Sequence, residues 1–343
     1  MDPTEDFEVK LVIGGRAQGK LAYVMGQDPN AHVINGAEAL QNAAWETARE
    51  GADALEGQGT QGISLWDHFH EFVKAGLSEG KEPQELWELT KRRMEELPEL
   101  VILCDEIGNG IVPMEREERT WREETGRLLC KIAAEADSVE RVFCGIPTLI
   151  KRRVRIRLIR HGKTPGNEEK RYIGRTDESL TENGRSELAG KQYPAPALLF
   201  SSPMKRCLES CECLWPGRKP VVIPELREID FGLFEGKNYQ ELNGNAAYQA
   251  WIDSGGTMSF PEGEDRAAFQ ARGLSGFRQA IDRIRREGVT DAAMVVHGGI
   301  IMGILLETCG GNYYDYMIPN GEGYLLTLDL MPGEYRIAGA ERL

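Results

Sequence analysis

Arg160-His161-Gly162 follows directly on the apolar run Val154 to Ile159, and Val295-Val296-His297-Gly298-Gly299 repeats the arrangement with a second histidine. Each reads as a strand delivering a histidine to its carboxyl end, where open α/β sheets bind ligands. A neutral imidazole beside a fixed guanidinium suits in-line attack on a phosphate monoester. The ring nitrogen is the nucleophile, and the arginine neutralises and orients the phosphoryl oxygens. Ser201-Ser202-Pro203-Met204-Lys205-Arg206 puts another arginine in the first turn of a helix, with Ser202 as the expected cap and Pro203 at its start. Free N–H groups and the positive helix pole would join Arg206 in holding phosphate. Taken singly, His161, His297 and Arg206 are ordinary core or surface residues; their order and setting give them weight.

A second site type stands near the start of the chain. Phe7 to Ile13 is a strand-length apolar run leading into Gly14-Gly15-Arg16-Ala17-Gln18-Gly19-Lys20. This is most of a P-loop, in which backbone N–H groups cradle a polyphosphate and Lys20 reaches its terminal phosphates. Leu21 stands where a magnesium-binding hydroxyl is usual. Asp105-Glu106, closing the apolar run Leu100 to Cys104, are candidate magnesium ligands or a pair of solvated strand-end carboxylates.

The elements that must position these residues form two α/β patterns. In the first, helices are expected over Leu21 to Met25, Glu38 to Leu55, Ser64 to Ala75, Pro83 to Leu97 and Arg116 to Asp137, with a flexible turn at Gly57 to Gly62. Strands are expected at Leu100 to Cys104 and Val139 to Gly145. Lys151-Arg152-Arg153 marks a boundary, giving domains 1–152 and 153–343. The second pattern adds strands at Ala197 to Ser201, Val221 to Ile223 and Ala292 to Val296. Helices fall over Thr181 to Gln192, Pro203 to Leu214 and Arg266 to Glu287, and Met331 to Glu334 turns a closing hairpin. Two three-layer α/β domains follow.

A chain of 343 residues exceeds one typical core. Its formal charge of −14 disfavours a nucleic-acid partner, so an anionic substrate must be drawn in by local arginines. No apolar run is long enough to span a bilayer, and Met1 to Glu8 lacks the order of a signal peptide. Seven scattered cysteines suggest reduced thiols and a cytoplasmic protein. Cys207, Cys211 and Cys213 could hold zinc, but burial as small apolar side chains is the better reading.

Around His161 the sequence continues through Asn167, Arg171-Tyr172-Ile173-Gly174, Asp177 and Leu180-Thr181-Glu182-Asn183-Gly184. With Leu226-Arg227-Glu228-Ile229-Asp230-Phe231-Gly232 and Pro261-Glu262-Gly263-Glu264, this resembles the histidine phosphatase superfamily, the phosphoglycerate-mutase-like enzymes. Within it, the stretch from Arg171 to Asp177 looks most like the alpha-ribazole phosphatases of cobalamin biosynthesis. The resemblance implies a phosphoglycerate-mutase-like fold and a phosphohistidine on His161. Arg160, Arg206 and His297 would clamp the phosphoryl oxygens, with a hydrogen bond from Asn167. Glu228 would protonate the leaving alkoxide and then activate water, a role typically worth on the order of 10²–10⁴ in rate. No metal is needed there, and Lys163 departs from a glutamate found in many relatives.

In the first half, Cys104 to Pro113 is followed by Arg119, Arg122, Gly126, Arg127, Ala136-Asp137 and Gly145-Ile146-Pro147. With Leu11 to Lys20, these resemble the adenosylcobinamide kinase / adenosylcobinamide-phosphate guanylyltransferase family; Gly26 to Leu100 matches it poorly. The resemblance implies a P-loop domain with Gly14, Gly15, Gly19 and Lys20 on phosphate, Asp105 or Glu106 on magnesium, and ATP or GTP as ligand. None of His32, His68 and His70 lies in the arginine-rich setting of that family's guanylyl-accepting histidine. His68 and His70 sit two apart on an expected helix and do not share a face; a structural or surface role follows. Two families of one pathway in one chain suggest a phosphatase acting on alpha-ribazole 5′-phosphate or adenosylcobalamin 5′-phosphate. The alternative is a phosphatase of another small phosphate ester with a non-catalytic nucleotide- or corrinoid-binding module; a mutase is the weaker reading.

Overall fold

The computed structural model describes residues 8–41, 45–46, 63–97 and 99–343. The chain divides into two compact units, Met1–Arg153 with Met331–Glu334, and Val154–Leu330 with Tyr335–Leu343.

The first unit runs β1 (Glu8–Gly14), α1 (Lys20–Gln27), β2 (His32–Asn35), a 3₁₀ turn (Gly36–Leu40), β3 (Ser64–Asp67), α2 (Phe69–Ser78), α3 (Pro83–Glu96), β4 (Glu99–Asp105), α4 (Arg116–Glu135) and β5 (Ser138–Phe143). These strands lie side by side in the order β2-β3-β4-β1-β5, all parallel. Alternate residues feed two cores. Leu11, Leu100, Ile102 and Trp66 pack with Phe69, Phe72, Leu128 and Ile132. Val12, Val101, Leu103 and Leu65 pack with Val24 on the opposite face. Strands buried on both faces read as continuous apolar runs, as β1 and β4 do.

The helix expected over Ser64 to Ala75 is corrected: Ser64–Asp67 is a central strand with every residue buried, and α2 starts only at Phe69. A four-residue run buried on both faces has no periodicity that separates strand from helix. His68 therefore lies outside the helix, in the left-handed region with φ 53°. Of the helix expected over Glu38 to Leu55, the described part opens as the 3₁₀ turn. Positions 47–62, including the turn expected at Gly57 to Gly62, lie outside the described residues.

Lys151-Arg152-Arg153 stands directly before the division between the two units. It lies within β6 (Ile146–Arg160), whose first half pairs antiparallel with β5 from Ile146 to Arg152. Lys151 Nζ donates to the carbonyls of Ala133 and Ala134 at 2.7 and 3.3 Å, and Arg153 donates to those of Ala134 and Glu135, both at 2.7 Å. The basic run closes the carboxyl end of α4, where cations are favoured.

The second unit takes the other half of β6 and adds α5 (Pro165–Glu168), α6 (Glu182–Ala189), β7 (Leu198–Ser201), α7 (Lys205–Leu214), β8 (Val221–Val222), α8 (Ala246–Asp253), α9 (Arg266–Glu287), β9 (Asp291–Val296), α10 (Gly298–Cys309), β10 (Gly323–Met331) and β11 (Glu334–Arg342). Its parallel strands stand in the order β6-β9-β7-β8, and the β10–β11 hairpin joins β6. Val154, Ile156, Leu158 and Met294 pack under Phe277, Ile281, Ile300 and Ile304 of α9 and α10. On the other face Ile159, Leu199 and Val295 meet Cys207, Cys211 and Trp215. Cys207 and Cys211 are core packing, each such burial contributing on the order of 1–2 kcal/mol.

Candidate active site

The carboxyl ends of β6, β7 and β9 converge. β6 ends at Arg160, β7 at Ser201 and β9 at Val296, so His161 and His297 are the first residues beyond two neighbouring strands. The His161 N–H donates to Val296 O at 3.0 Å, holding the two ends together. The imidazoles lie edge to face, ring centroids 5.2 Å apart. His161 Nδ1 lies 2.7 Å from its neighbour Gly162 O. A carbonyl can only accept, so Nδ1 carries the proton and Nε2 keeps its lone pair. Burial, then the charges of Arg206 and Arg160, hold His161 well below the usual histidine range. It is an uncharged ring of fixed tautomer.

Arg206 is fully buried. Its Nη1 and Nη2 donate to Thr176 O and Gly174 O at 2.7 and 2.8 Å, and its Nε faces His297 Nδ1 at 3.3 Å. Arg160 Nη1 donates to Ile318 O at 2.6 Å, while its buried Nε has no hydrogen-bond partner. Among the described residues neither guanidinium has a carboxylate within ion-pair distance. A buried Arg206 and a half-buried Arg160 without such partners are costly to folding, and a phosphate dianion between them would relieve that cost.

Glu228 sits at the edge of this group. Its Oε1 accepts from Ile229 N at 3.0 Å and its Oε2 from Gly299 N at 3.3 Å. Burial raises its pKa above the usual glutamate value, against those two N–H groups and both arginines. A protonated carboxyl near neutral pH can act as a general acid. Gly299 permits the arrangement, because a Cβ there would stand 2.5 Å from Glu228 Oε1.

The structure changes two supporting parts. Ser202 does not cap α7: the cap position is Met204, and Asp177 Oδ1 instead accepts from Lys205 N at 2.7 Å. The Ser202 hydroxyl is 2.7 Å from His297 Nε2. With Nδ1 receiving the Arg206 N–H, Nε2 is the protonated nitrogen of His297 and donates to Ser202. His297 thus immediately orients Arg206, and burial with the arginine charges holds it well below the usual histidine range.

Asn167 Oδ1 accepts from Thr164 N at 3.2 Å and from Asn320 Nδ2 at 3.1 Å, which leaves its amide N–H₂ to donate. Sequence reasoning missed Asn320, whose Nδ2 also donates to His161 O at 3.0 Å and Gly162 O at 3.4 Å. It lies in the loop ahead of β10, with no motif to signal it. Of the expected entrance loop, Glu264 pairs with Arg272 at 2.7 Å.

In the first unit, β1 and β4 end side by side at Gly14 and Asp105. Gly19 has φ 86°, a left-handed conformation that suits glycine, and precedes α1. Lys20 Nζ donates to Gly14 O and Gly15 O at 3.1 and 3.0 Å and pairs with Asp105 Oδ1 at 2.5 Å. Glu106 turns away to Arg141 at 2.9 Å. Asp105 is thus the carboxylate at the loop, and Mg²⁺ needs only one or two carboxylates when phosphates supply further oxygens. The residues present fit that ion with Asp105 as its protein ligand. His70 belongs to this cluster too: buried, it accepts from Asp105 N through Nδ1 at 3.4 Å. His68 is exposed and pairs with Asp67 at 2.9 Å. Arg122 holds the loop after β4 by donating to Asn109 O and Ile111 O, both at 2.7 Å.

Comparison with known proteins finds one family for each part of the chain. Residues 156–332 match the histidine phosphatase superfamily, branch 1, and this chain belongs to that family. Residues 35–150 match cobinamide kinase / cobinamide phosphate guanyltransferase. That match takes in the segment from 35 to 100 that looked unlike the family and leaves the glycine loop outside. The chain is 29% identical over 164 residues to a broad-specificity phosphatase of Saccharomyces cerevisiae, spanning 44% of this chain and 69% of that one. It is 26% identical over 168 residues to a probable phosphoglycerate mutase of Erwinia tasmaniensis, spanning 46% and 75%. The alpha-ribazole phosphatase of Shigella flexneri superposes with a TM-score of 0.44 at 22% identity, covering 54% of this chain and 94% of that chain. The second unit is accordingly an enzyme of the histidine phosphatase superfamily.

Proposed function

We propose that the second unit, taken as residues 153–343, hydrolyses a phosphomonoester through a phosphohistidine on His161. One observation carries this: an imidazole with Nε2 unprotonated, beside the buried Arg206 guanidinium and the buried, unpartnered Nε of Arg160, neither arginine having a carboxylate partner among the described residues. The dianion is held by Arg160 Nε–H, Arg206 and the Asn167 amide. His297 supports the clamp by holding Arg206 Nε through its Nδ1. Nε2 of His161 attacks phosphorus in line, and Glu228 gives its proton to the departing alkoxide. Glu228, now a carboxylate, takes a proton from water as that water attacks the phosphohistidine, returning inorganic phosphate and free His161. The arginines supply the charge that metal-dependent phosphatases take from ions, so we expect no metal requirement.

Trapping labelled phosphate on His161, with turnover lost in His161→Ala and retained in excess EDTA, tests the scheme. Near-normal turnover by His161→Ala would refute it.

The substrate reading rests on the two family matches in one chain. The cobinamide kinase match points to cobalamin biosynthesis, the phosphatase match to its superfamily alone, and alpha-ribazole 5′-phosphate or adenosylcobalamin 5′-phosphate is the ester we favour. For the first unit, taken as residues 1–152, we propose binding of ATP or GTP at Gly14 to Lys20, with magnesium on Asp105. Kinase turnover is the question to assay, with Lys20→Ala expected to lose the nucleotide. Exposed free Cys130, Cys144 and Cys309 fit a reducing compartment, and we place the protein in the cytoplasm.

A further inference from the structure

A cavity of about 360 Å³ adjoins the reaction centre, with Arg160, Glu228, Gly298 and Gly299 in its lining. The leaving oxygen of a phosphoester bound at His161 would lie beside Glu228, so the rest of the alcohol must extend into this space. The walls are aromatic: Tyr172, Phe231, Trp251, Phe260, Tyr313 and Tyr314. Trp251 and Phe260 stack with centroids 5.2 Å apart, and Phe231 meets Phe260 edge to face at 4.9 Å. At the cavity Met258, Tyr314 and Met317 are 52, 45 and 57% exposed, a cost in water that an apolar guest would repay.

Charge narrows the guest further. Beyond Arg160 and Glu228 the charged side chain in the lining is Arg266. That guanidinium is engaged, 4.4 Å above the Tyr313 ring and donating to Gly256 O at 2.9 Å. The rest of the lining is uncharged and mostly aromatic or apolar, which favours an uncharged guest. The volume lies in the range of roughly 300–1,000 Å³ typical of small-molecule pockets.

We infer that this cavity is the leaving-group subsite and that it takes an alcohol bearing a flat, uncharged aromatic ring held against Trp251 and Phe260. The assignment rests on the phosphatase reading above and extends it to the half of the substrate that the catalytic motif does not touch.

The test compares kcat/KM for the 5′-phosphate of a benzimidazole riboside with that for ribose 5-phosphate. Both release the same primary alkoxide, so Glu228 and His161 face identical chemistry. The ring should gain roughly 10- to 100-fold, the worth of one or two stacked bases. Trp251→Ala should cut that ratio at least fivefold, and Trp251→Phe should restore most of it. Equal kcat/KM for the two esters in the wild-type enzyme would overturn the subsite while leaving the phosphatase reading intact. Turnover of neither ester, with no phosphohistidine on His161, would overturn the phosphatase reading itself.

Discussion

At the residue scale, two depressed histidines and one raised glutamate set the pH behaviour. His161 attacks only when uncharged, and its pKa lies well below the ordinary histidine value of 6.5. Activity should therefore survive acidification through pH 6.5 and fall only below the depressed value. Glu228 donates only when protonated, and its pKa lies above the ordinary 4.5. The alkaline limb of kcat/KM should follow its titration, and Glu228→Gln should remove that limb. The same variant separates proton donation from positioning. The kcat/KM for an alkyl phosphate, which reports formation of phosphohistidine, should fall on the order of 10²–10⁴-fold, and that for an activated aryl phosphate far less. Equal losses on both esters would show that Glu228 only positions.

Elements act by deciding how closely these residues approach. Helix α10 begins with Gly298 and Gly299 directly after His297, so the Gly299 N–H faces Glu228. A methyl at Gly299 would meet Glu228 Oε1 at 2.5 Å and the Phe269 ring at 3.0 Å. Gly299→Ala should move the carboxyl and lower kcat for alkyl phosphates about tenfold or more, while leaving formation of phosphohistidine from an aryl phosphate largely intact. Rapid-quench measurement of the two half-reactions checks this. Helix α7 offers a complementary case. Asp177 receives the Lys205 N–H at its start, so Asp177→Ala should cost roughly 0.5–2 kcal/mol of stability, measurable by urea denaturation.

For the whole molecule, the second unit carries an active site that opposes its own stability. His161 and His297 are 4% and 0% exposed and both are held uncharged by burial and by arginines. Their depressed pKa values mean that the unfolded chain binds more protons than the folded one. The stability they contribute is fully present above about pH 6.5, and falls as the pH drops from there toward the folded values. Each group should remove about 1.4 kcal/mol per pH unit in that window. The urea midpoint of this transition should decline between pH 7 and 5, and His161→Asn should reduce the slope by about half. A flat profile in the wild-type protein would contradict the depressed values. Inorganic phosphate, which compensates Arg160 and Arg206, should raise the midpoint.

The sequence by itself determined the features that depend on local pattern. Uninterrupted apolar runs gave β1, β4, β6 and β9, and 3.6-residue periodicity gave α4 and α9. The order strand, arginine, histidine, glycine marked His161 because that chemistry lies in consecutive residues. Tertiary structure alone decided whatever rests on contacts between distant segments. Ser64–Asp67 became a strand because two neighbouring strands and two helical layers bury it. The basic run from Lys151 became part of β6 because carbonyls at the end of α4 claim its charges. Ser202 left the role of cap for a bond to His297, ninety-five positions away. Asn320 joined Asn167 across 153 positions, and His70 joined Asp105 across 35. The same holds for the aromatic cavity, whose walls come from segments between Tyr172 and Met317. Spacing along a chain encodes which side chains share a helix face or strand end; only the folded packing sets which of them meet.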